Sequence, residues 1–201
     1  MPKSKGFFNV IIVGDSKVGK TCLLYSYKGG KRPEEKIPGF LQTFTCKVKV
    51  NCKKVELGIW DTSGDSQYDG LRRLVYVSGD IFVVCYSVDS RQSFENVTKK
   101  WLPELRKCGQ PNAAVVVVAT KKDLRPRTSV MPRSVDGIDG RSTRDSFVTY
   151  DEGLQLAHEI RAKAFVECSV QNESSTCNVL GEVANILLKQ LAKEKEKKRD
   201  S

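Results

Sequence analysis

The sequence predicts an α/β fold, a six-stranded, mainly parallel sheet with helices on both faces. Three observations carry that prediction. Short β-branched apolar runs alternate with helical patterns along 201 residues, a length that suits one domain. The runs at 81–86 and 113–119 are apolar at every position, which fits strands buried on both faces. A glycine-containing loop, 14–21, separates the first run from the first helical pattern.

Each element follows in order. Residues 7–13 form a short apolar run stopped by Gly14. Residues 44–50 alternate like a half-buried strand, and 55–60 follow after a turn-like 51–54, predicting a hairpin. The runs 81–86, 113–119 and 164–168 supply the remaining strands. Helical patterns occupy 20–28, 93–107, 151–162 and 179–193. Segment 125–148 holds Pro126, Pro132, Gly137 and Gly140 with little apolar periodicity and reads as a long surface insertion. Residues 1–6 form an N-terminal extension, 7–192 the domain, and 193–201 a charged tail, expected as a fraying helix end or disordered.

Composition sets limits. With 39% hydrophobic and 29% charged residues, the chain is neither wholly disordered, collagen-like nor a disulfide miniprotein. No apolar stretch of about 18 residues is present for a membrane span, and the N-terminus does not read as a signal peptide. Seven scattered cysteines, without a Cys-x-x-Cys and with a single histidine, argue against a disulfide framework or zinc site and for a reducing, cytoplasmic setting. The net charge is +10, and residues 1–57 alone carry +8. A basic face of that kind suits nucleic acid, an anionic membrane or an acidic protein.

Residues Gly14, Asp15, Ser16, Lys17, Val18, Gly19, Lys20 and Thr21 match G-x-x-x-x-G-K-[ST], between a predicted strand and a predicted helix. The glycines let successive N–H groups face phosphate oxygens, and the helix N-terminus adds its positive end. Lys20 would place charge on the β- and γ-phosphates, and the Thr21 hydroxyl would bind Mg²⁺. Asp61, Thr62, Ser63 and Gly64 follow the third strand; the aspartate is placed to hold Mg²⁺ through water, and the glycine to turn its N–H onto a γ-phosphate. Thr120, Lys121, Lys122 and Asp123 follow the fifth. The Asp123 carboxylate matches guanine N1–H and the exocyclic amine, and the Lys121 stem would cover the base. Cys168, Ser169 and Val170 would offer a backbone N–H to the guanine oxygen.

With these motifs in place, the chain resembles the Rho family of small GTPases from residue 7 to about 191. The resemblance rests also on Leu57-Gly58-Ile59-Trp60-Asp61-Thr62, Tyr86-Ser87-Val88, Ser93-Phe94-Glu95-Asn96-Val97, Trp101-Leu102-Pro103-Glu104 and Thr120-Lys121-Lys122-Asp123-Leu124. It implies a P-loop small-GTPase fold, bound GTP or GDP with Mg²⁺, and a monomeric switch in signalling to actin, polarity or traffic. It implies nucleotide contacts from residues 14–22, Cys22 included, and from Thr120, Lys121, Asp123, Leu124, Ser169 and Val170. Lys20, Gly64 and Asp65 take the catalytic positions. The implied partners are effectors and regulators such as exchange factors, kinases or actin regulators. Peripheral contact with an anionic membrane is expected, and no nucleic-acid motif is present.

The departures from the family cluster around the phosphates. Ser16 stands where the family's second internal P-loop glycine falls, crowding the path of an arginine finger. Asp65 replaces the glutamine that orients the attacking water. In the first switch, an ungapped alignment back from Asp61 puts Gly39 where the metal-binding threonine falls. The same alignment puts Arg32 at the base-packing aromatic and Lys36 at the phosphate-covering tyrosine. The second switch spans Thr62, Ser63, Gly64 and Asp65. The last four residues do not form a Cys-a-a-X, so no prenyl group is expected on this sequence. The expected function is an atypical guanine-nucleotide switch with slow hydrolysis. The alternative is a pseudo-GTPase interaction module with absent or fixed nucleotide. Thr120–Asp123 argues against an ATPase.

Overall fold

The computed structural model describes residues 6–27, 41–50, 52–109, 113–126, 147–197 and 199. The expectations for Arg32, Lys36 and Gly39, and for most of the 125–148 insertion, fall outside these residues.

Six strands form one sheet in the order β2-β3-β1-β4-β5-β6. They are β1 (Phe7–Gly14), β2 (Leu41–Val50), β3 (Lys53–Thr62), β4 (Ile81–Ser87), β5 (Ala114–Thr120) and β6 (Ala164–Glu167). Among the described residues only the β2–β3 pair is antiparallel. The helices are α1 (Lys20–Tyr27), α2 (Asp69–Tyr76), α3 (Arg91–Asn96), α4 (Leu102–Cys108), α5 (Tyr150–Glu159) and α6 (Glu173–Lys197).

Alternation along the buried strands builds a core on each face of the sheet. Val10, Ile12, Ile59, Val83 and Val116 pack with Leu23 and Leu24 of α1 and Val183 and Leu187 of α6. Ile11, Val13, Phe82, Val84 and Val117 pack with Tyr76, Trp101, Leu105 and Leu156. Each fully buried aliphatic of this kind contributes roughly 1.5–3 kcal/mol. The two layers leave the C-terminal ends of β1, β3, β4, β5 and β6 at one edge, where an open α/β sheet places its ligand.

The elements differ from expectation in identifiable ways. The hairpin is longer than 44–60, because its ladder runs from Leu41↔Thr62 to Val50↔Lys53 and Cys52, at φ 62°, makes the turn. The 93–107 helix is three pieces, with a π-helical stretch, Val97–Trp101, between α3 and α4. Helix α2 replaces an unassigned segment. Helix α5 starts one residue early because Thr149 and Glu152 form a reciprocal capping box. Helix α6 begins at Glu173 and runs through Lys197, so most of the charged tail is helix. The ends of the insertion are tied together: Arg125 donates to Val148 O at 2.7 Å and pairs with Glu167 at 2.6 Å.

Candidate nucleotide site

Four loops at that edge carry the predicted residues. The first is 14–21. Gly14 and Gly19 have φ of 144° and 102°, a region that favours glycine, and a Cβ at Gly14 would lie 2.2 Å from Cys85 O. Lys20 opens α1 and is 6% exposed. Its ammonium donates to Gly14 O at 2.7 Å and Asp15 O at 2.8 Å, which holds the charge inside the loop's curl. Burial pushes its pKa down, and Asp61, Cys85 and Asp15 oppose that. Ser16 and Lys17 are exposed. The Asp15 carboxylate is turned to Asn96 Nδ2 (2.6 Å) and Trp101 Nε1 (2.7 Å), leaving Asp15 its backbone for any phosphate contact.

The second loop follows β3. Asp61 is 6% exposed, and its Oδ2 accepts from the Thr21 hydroxyl at 2.5 Å. Its Oδ1 is buried without a hydrogen-bond partner among the described residues. Burial raises the Asp61 pKa, against the Thr21 hydrogen bond and the Lys20 charge. An orphaned carboxylate oxygen beside a hydroxyl is the donor chemistry of a hard cation, so the residues present fit Mg²⁺. Thr62 donates to Ile12 O at 2.7 Å, fixing the end of β3 to β1. Gly64 presses on the P-loop: a Cβ there would lie 2.4 Å from Gly14 O, Asp15 C and Ser16 N. Asp65 caps a 3₁₀ turn, Ser66–Tyr68, by accepting from Gln67 N at 3.3 Å.

A buried arginine that the sequence reading missed holds this second loop. Arg72, 0% exposed on α2, donates to Ser63 O at 2.8 Å and Asp65 O at 3.4 Å. The same guanidinium meets Glu104 at 3.0 and 3.2 Å and Asp69 at 2.5 Å, and lies 4.7 Å from the centre of the Trp101 ring. Tyr76 donates to Glu104 at 2.7 Å. These hydrogen bonds and charges keep Arg72 firmly protonated against its burial. Trp101 thus touches both the P-loop aspartate and the clamp on the second loop.

The third and fourth loops follow β5 and β6. The Thr120 hydroxyl lies 2.5 Å from Val18 O and 2.9 Å from Tyr86 O, joining the P-loop to the sheet. Lys121 is left-handed at φ 56°, and its ammonium is 3.4 Å from both Asp89 oxygens. Asp123 is exposed on a 3₁₀ turn, Lys122–Leu124, with no hydrogen bond to a described residue. Leu124 is also exposed. The Ser169 N–H, one of three expected to be available to a base, already donates to Ser175 Oγ at 3.0 Å, and Cys168 N–H donates to Ala119 O at 2.8 Å. Of the three, Val170 alone keeps an amide outside every described hydrogen bond, so the expectation narrows to it. Cys168 itself is buried, and desolvation pushes its thiol up to about 12. Cys22 is half-buried in the first turn of α1.

A family profile described as the Ras family matches residues 9–189. That match covers the four loops and the sheet that holds them. The chain belongs to the Ras family of small GTPases. A Ras-like GTP-binding protein, RhoL of Drosophila melanogaster, is 39% identical over 180 residues, covering 90% of this chain and 86% of that protein. As a member of this family, the chain has the fold that its motifs predict, with the single antiparallel strand at the sheet edge. Asn96, Trp101 and Glu104 appear in the sequence only as Rho-like motif residues. Their shared partners, Asp15 and Arg72, give them a place in the site.

Proposed function

We propose that this small GTPase is a Rho-type guanine-nucleotide switch in signalling, holding GTP or GDP with Mg²⁺ and hydrolysing GTP slowly. The observation that carries the reading is the cluster of Lys20, Thr21 and Asp61. It joins a buried ammonium, a hydroxyl and an unpartnered carboxylate oxygen at the mouth of a glycine-built phosphate cradle. The 39% identity to a Ras-like GTP-binding Rho protein supports the same class.

Backbone amides of 16–21 and the Lys20 ammonium bind the phosphates. Asp123 reads the guanine edge, Val170 N–H meets its oxygen, and the Lys121 stem lies over the base. Thr21 and Asp61 would hold Mg²⁺, and the ion would supply charge neutralisation at the phosphates. Gly64 lies against the P-loop backbone, where a short movement of its N–H reaches a terminal phosphate.

Slow hydrolysis follows from two side chains. An arginine finger is worth roughly 10³–10⁵-fold in this reaction class, the related Ras among its measured cases. Ser16 is exposed where such a finger enters, and its backbone is in contact with Gly64. Asp65 is occupied as a helix cap, and its charge opposes a developing anion. Single-turnover assays test this: Ser16→Gly combined with Asp65→Gln should recover hydrolysis, partly intrinsic and partly activator-stimulated. Wild-type turnover already at a stimulated rate would contradict the reading.

A further inference from the structure

We propose that Ser175 of α6, backed by Thr176 and by Ser26 of α1, is a positioning residue for guanine: it fixes the base loop in the orientation that presents the Val170 N–H to the base oxygen. The inference rests on the guanine-binding reading above and assigns a role to residues which that reading does not use. The loop after β6 commits nearly all of its backbone donors to itself. Among the described residues of 168–172, Cys168 N–H donates to Ala119 O at 2.8 Å, Ser169 N–H to Ser175 Oγ at 3.0 Å, Gln171 N–H to Ser169 Oγ at 3.1 Å and Asn172 N–H to Ser169 O at 3.0 Å. Val170 N–H is left over, on an exposed residue. Its direction is set from the far side of its own peptide. The Ser169 carbonyl and the Val170 N–H belong to one planar trans unit and point opposite ways. Ser169 O is held by Asn172 N–H and lies 3.0 Å from the Ser175 hydroxyl, so the Val170 N–H is turned away from the start of α6. A carbonyl that accepts hydrogen bonds also polarises its peptide, which strengthens the N–H at the other end as a donor.

The Ser175 side chain does more than its place in a helix requires. It is buried in the first turn of α6, where Asn172 Oδ1 caps the helix by accepting from Ser175 N–H at 3.3 Å. Its oxygen accepts from Ser169 N–H, and its single proton is shared between Asn172 O at 2.7 Å and Ser169 O at 3.0 Å. One hydroxyl therefore grips the peptides on both sides of Ser169. A hydroxyl in a helix is satisfied by the carbonyl one turn back, as Thr176 is by Glu173 O at 2.8 Å. Ser175 has that bond too, and adds both backbone groups of Ser169.

A second tie reaches the phosphate side. Thr176 is fully buried, and its hydroxyl oxygen is 3.2 Å from Ser26 Oγ, which in turn is 3.4 Å from Val170 O. With the Thr176 proton on Glu173 O, Ser26 is the donor toward Thr176 and Val170. Ser26 lies on α1, the short helix that opens with Lys20 and Thr21. The residue whose N–H meets the base is thus held through its carbonyl by the helix that carries the phosphate and metal groups. The two ends of the nucleotide site are linked through three hydroxyl side chains.

The test compares the affinity of the full chain for GDP and for thioguanosine diphosphate. The analogue carries sulfur, a weak acceptor, in place of the base oxygen and keeps the N1–H and amine that Asp123 reads. Wild type should prefer GDP about tenfold, the worth of one well-aligned hydrogen bond. Ser175→Ala should bring that preference close to unity and release GDP about tenfold faster. Ser26→Ala, at a half-buried helical position that suits alanine, should cut the preference to about threefold. Ser175→Thr, which keeps the hydroxyl, and Ser174→Ala, at an exposed neighbour, should both match wild type. A merely structural role would weaken both nucleotides equally and leave the ratio where it was. An unchanged ratio in Ser175→Ala and Ser26→Ala, or a wild-type ratio near unity, would overturn the proposal while leaving guanine binding intact. If Ser175→Ala does not fold, the ratio in Ser26→Ala decides. Wild type with no affinity for either nucleotide would overturn the guanine-binding reading together with this one.

Discussion

Removing the carboxylate of Glu104 is the sharpest perturbation of the clamp on the second switch. Glu104 is 8% exposed and accepts from Arg72 Nε, Arg72 Nη2 and Tyr76 Oη. In Glu104→Ala the guanidinium keeps Asp69, Ser63 O and Asp65 O but loses its principal buried counter-charge, and the Tyr76 hydroxyl loses its acceptor. Breaking a buried ion pair from one side costs about 3–5 kcal/mol. For a domain of this size that lowers the unfolding midpoint by about 6–20 °C. Arg72→Met combined with Glu104→Leu removes both charges and fills the space, so it should recover most of the stability. It should not recover the hold on Ser63 and Asp65, because no donor remains for their carbonyls. The assay pairs thermal unfolding with hydrogen exchange across 63–69. A midpoint shift under 2 °C in Glu104→Ala would refute the reasoning. So would full exchange protection of 63–69 in the double variant.

Three further expectations follow from other parts of the site. Asp15→Ala leaves the Asn96 amide and the Trp101 indole N–H without their acceptor; each part-buried donor costs about 1–3 kcal/mol, readable by denaturant titration. Asp123→Asn turns one acceptor of the base-reading pair into a donor, so competition binding should show a gain for xanthine nucleotide over guanine. Glu152 has its pKa lowered, with Arg91 and the Thr149 cap opposing its partial desolvation. A depressed carboxylate contributes stability that is fully present above its ordinary value of 4.5 and is lost as pH falls through the lower folded value. Glu152→Gln should therefore flatten the acid limb of the unfolding-midpoint profile below that value, while leaving it parallel to wild type at neutral pH.

Much of the fold was legible because its central strands carry one unambiguous signal, continuous apolar runs such as that of β4. The P-loop was legible because phosphate chemistry demands glycine, lysine and threonine at fixed spacing. Helix α2 was not, since Asp-Gly-Leu-Arg-Arg-Leu-Val-Tyr buries Arg72 and exposes Leu71 and Leu74, the reverse of what periodicity assumes. The start of α6 was hidden for a related reason. Ser175 and Thr176 are buried polar residues, and their hydroxyls bind the base loop and Ser26 of α1. The π-helical stretch at 97–101 was invisible to a 3.6-residue pattern, yet it supplies the Trp101 indole to Asp15. In each case the missed feature joins elements distant in sequence, which local pattern does not register.

The most direct test of a guanine-nucleotide switch with slow turnover is to denature the purified protein and identify the nucleotide released by chromatography. The account predicts a stoichiometric guanine nucleotide, predominantly the triphosphate, lost in Lys20→Ala because, among the described residues, the buried ammonium is the one side-chain cation held inside the phosphate cradle. Release of no nucleotide, or of an adenine nucleotide, would contradict it.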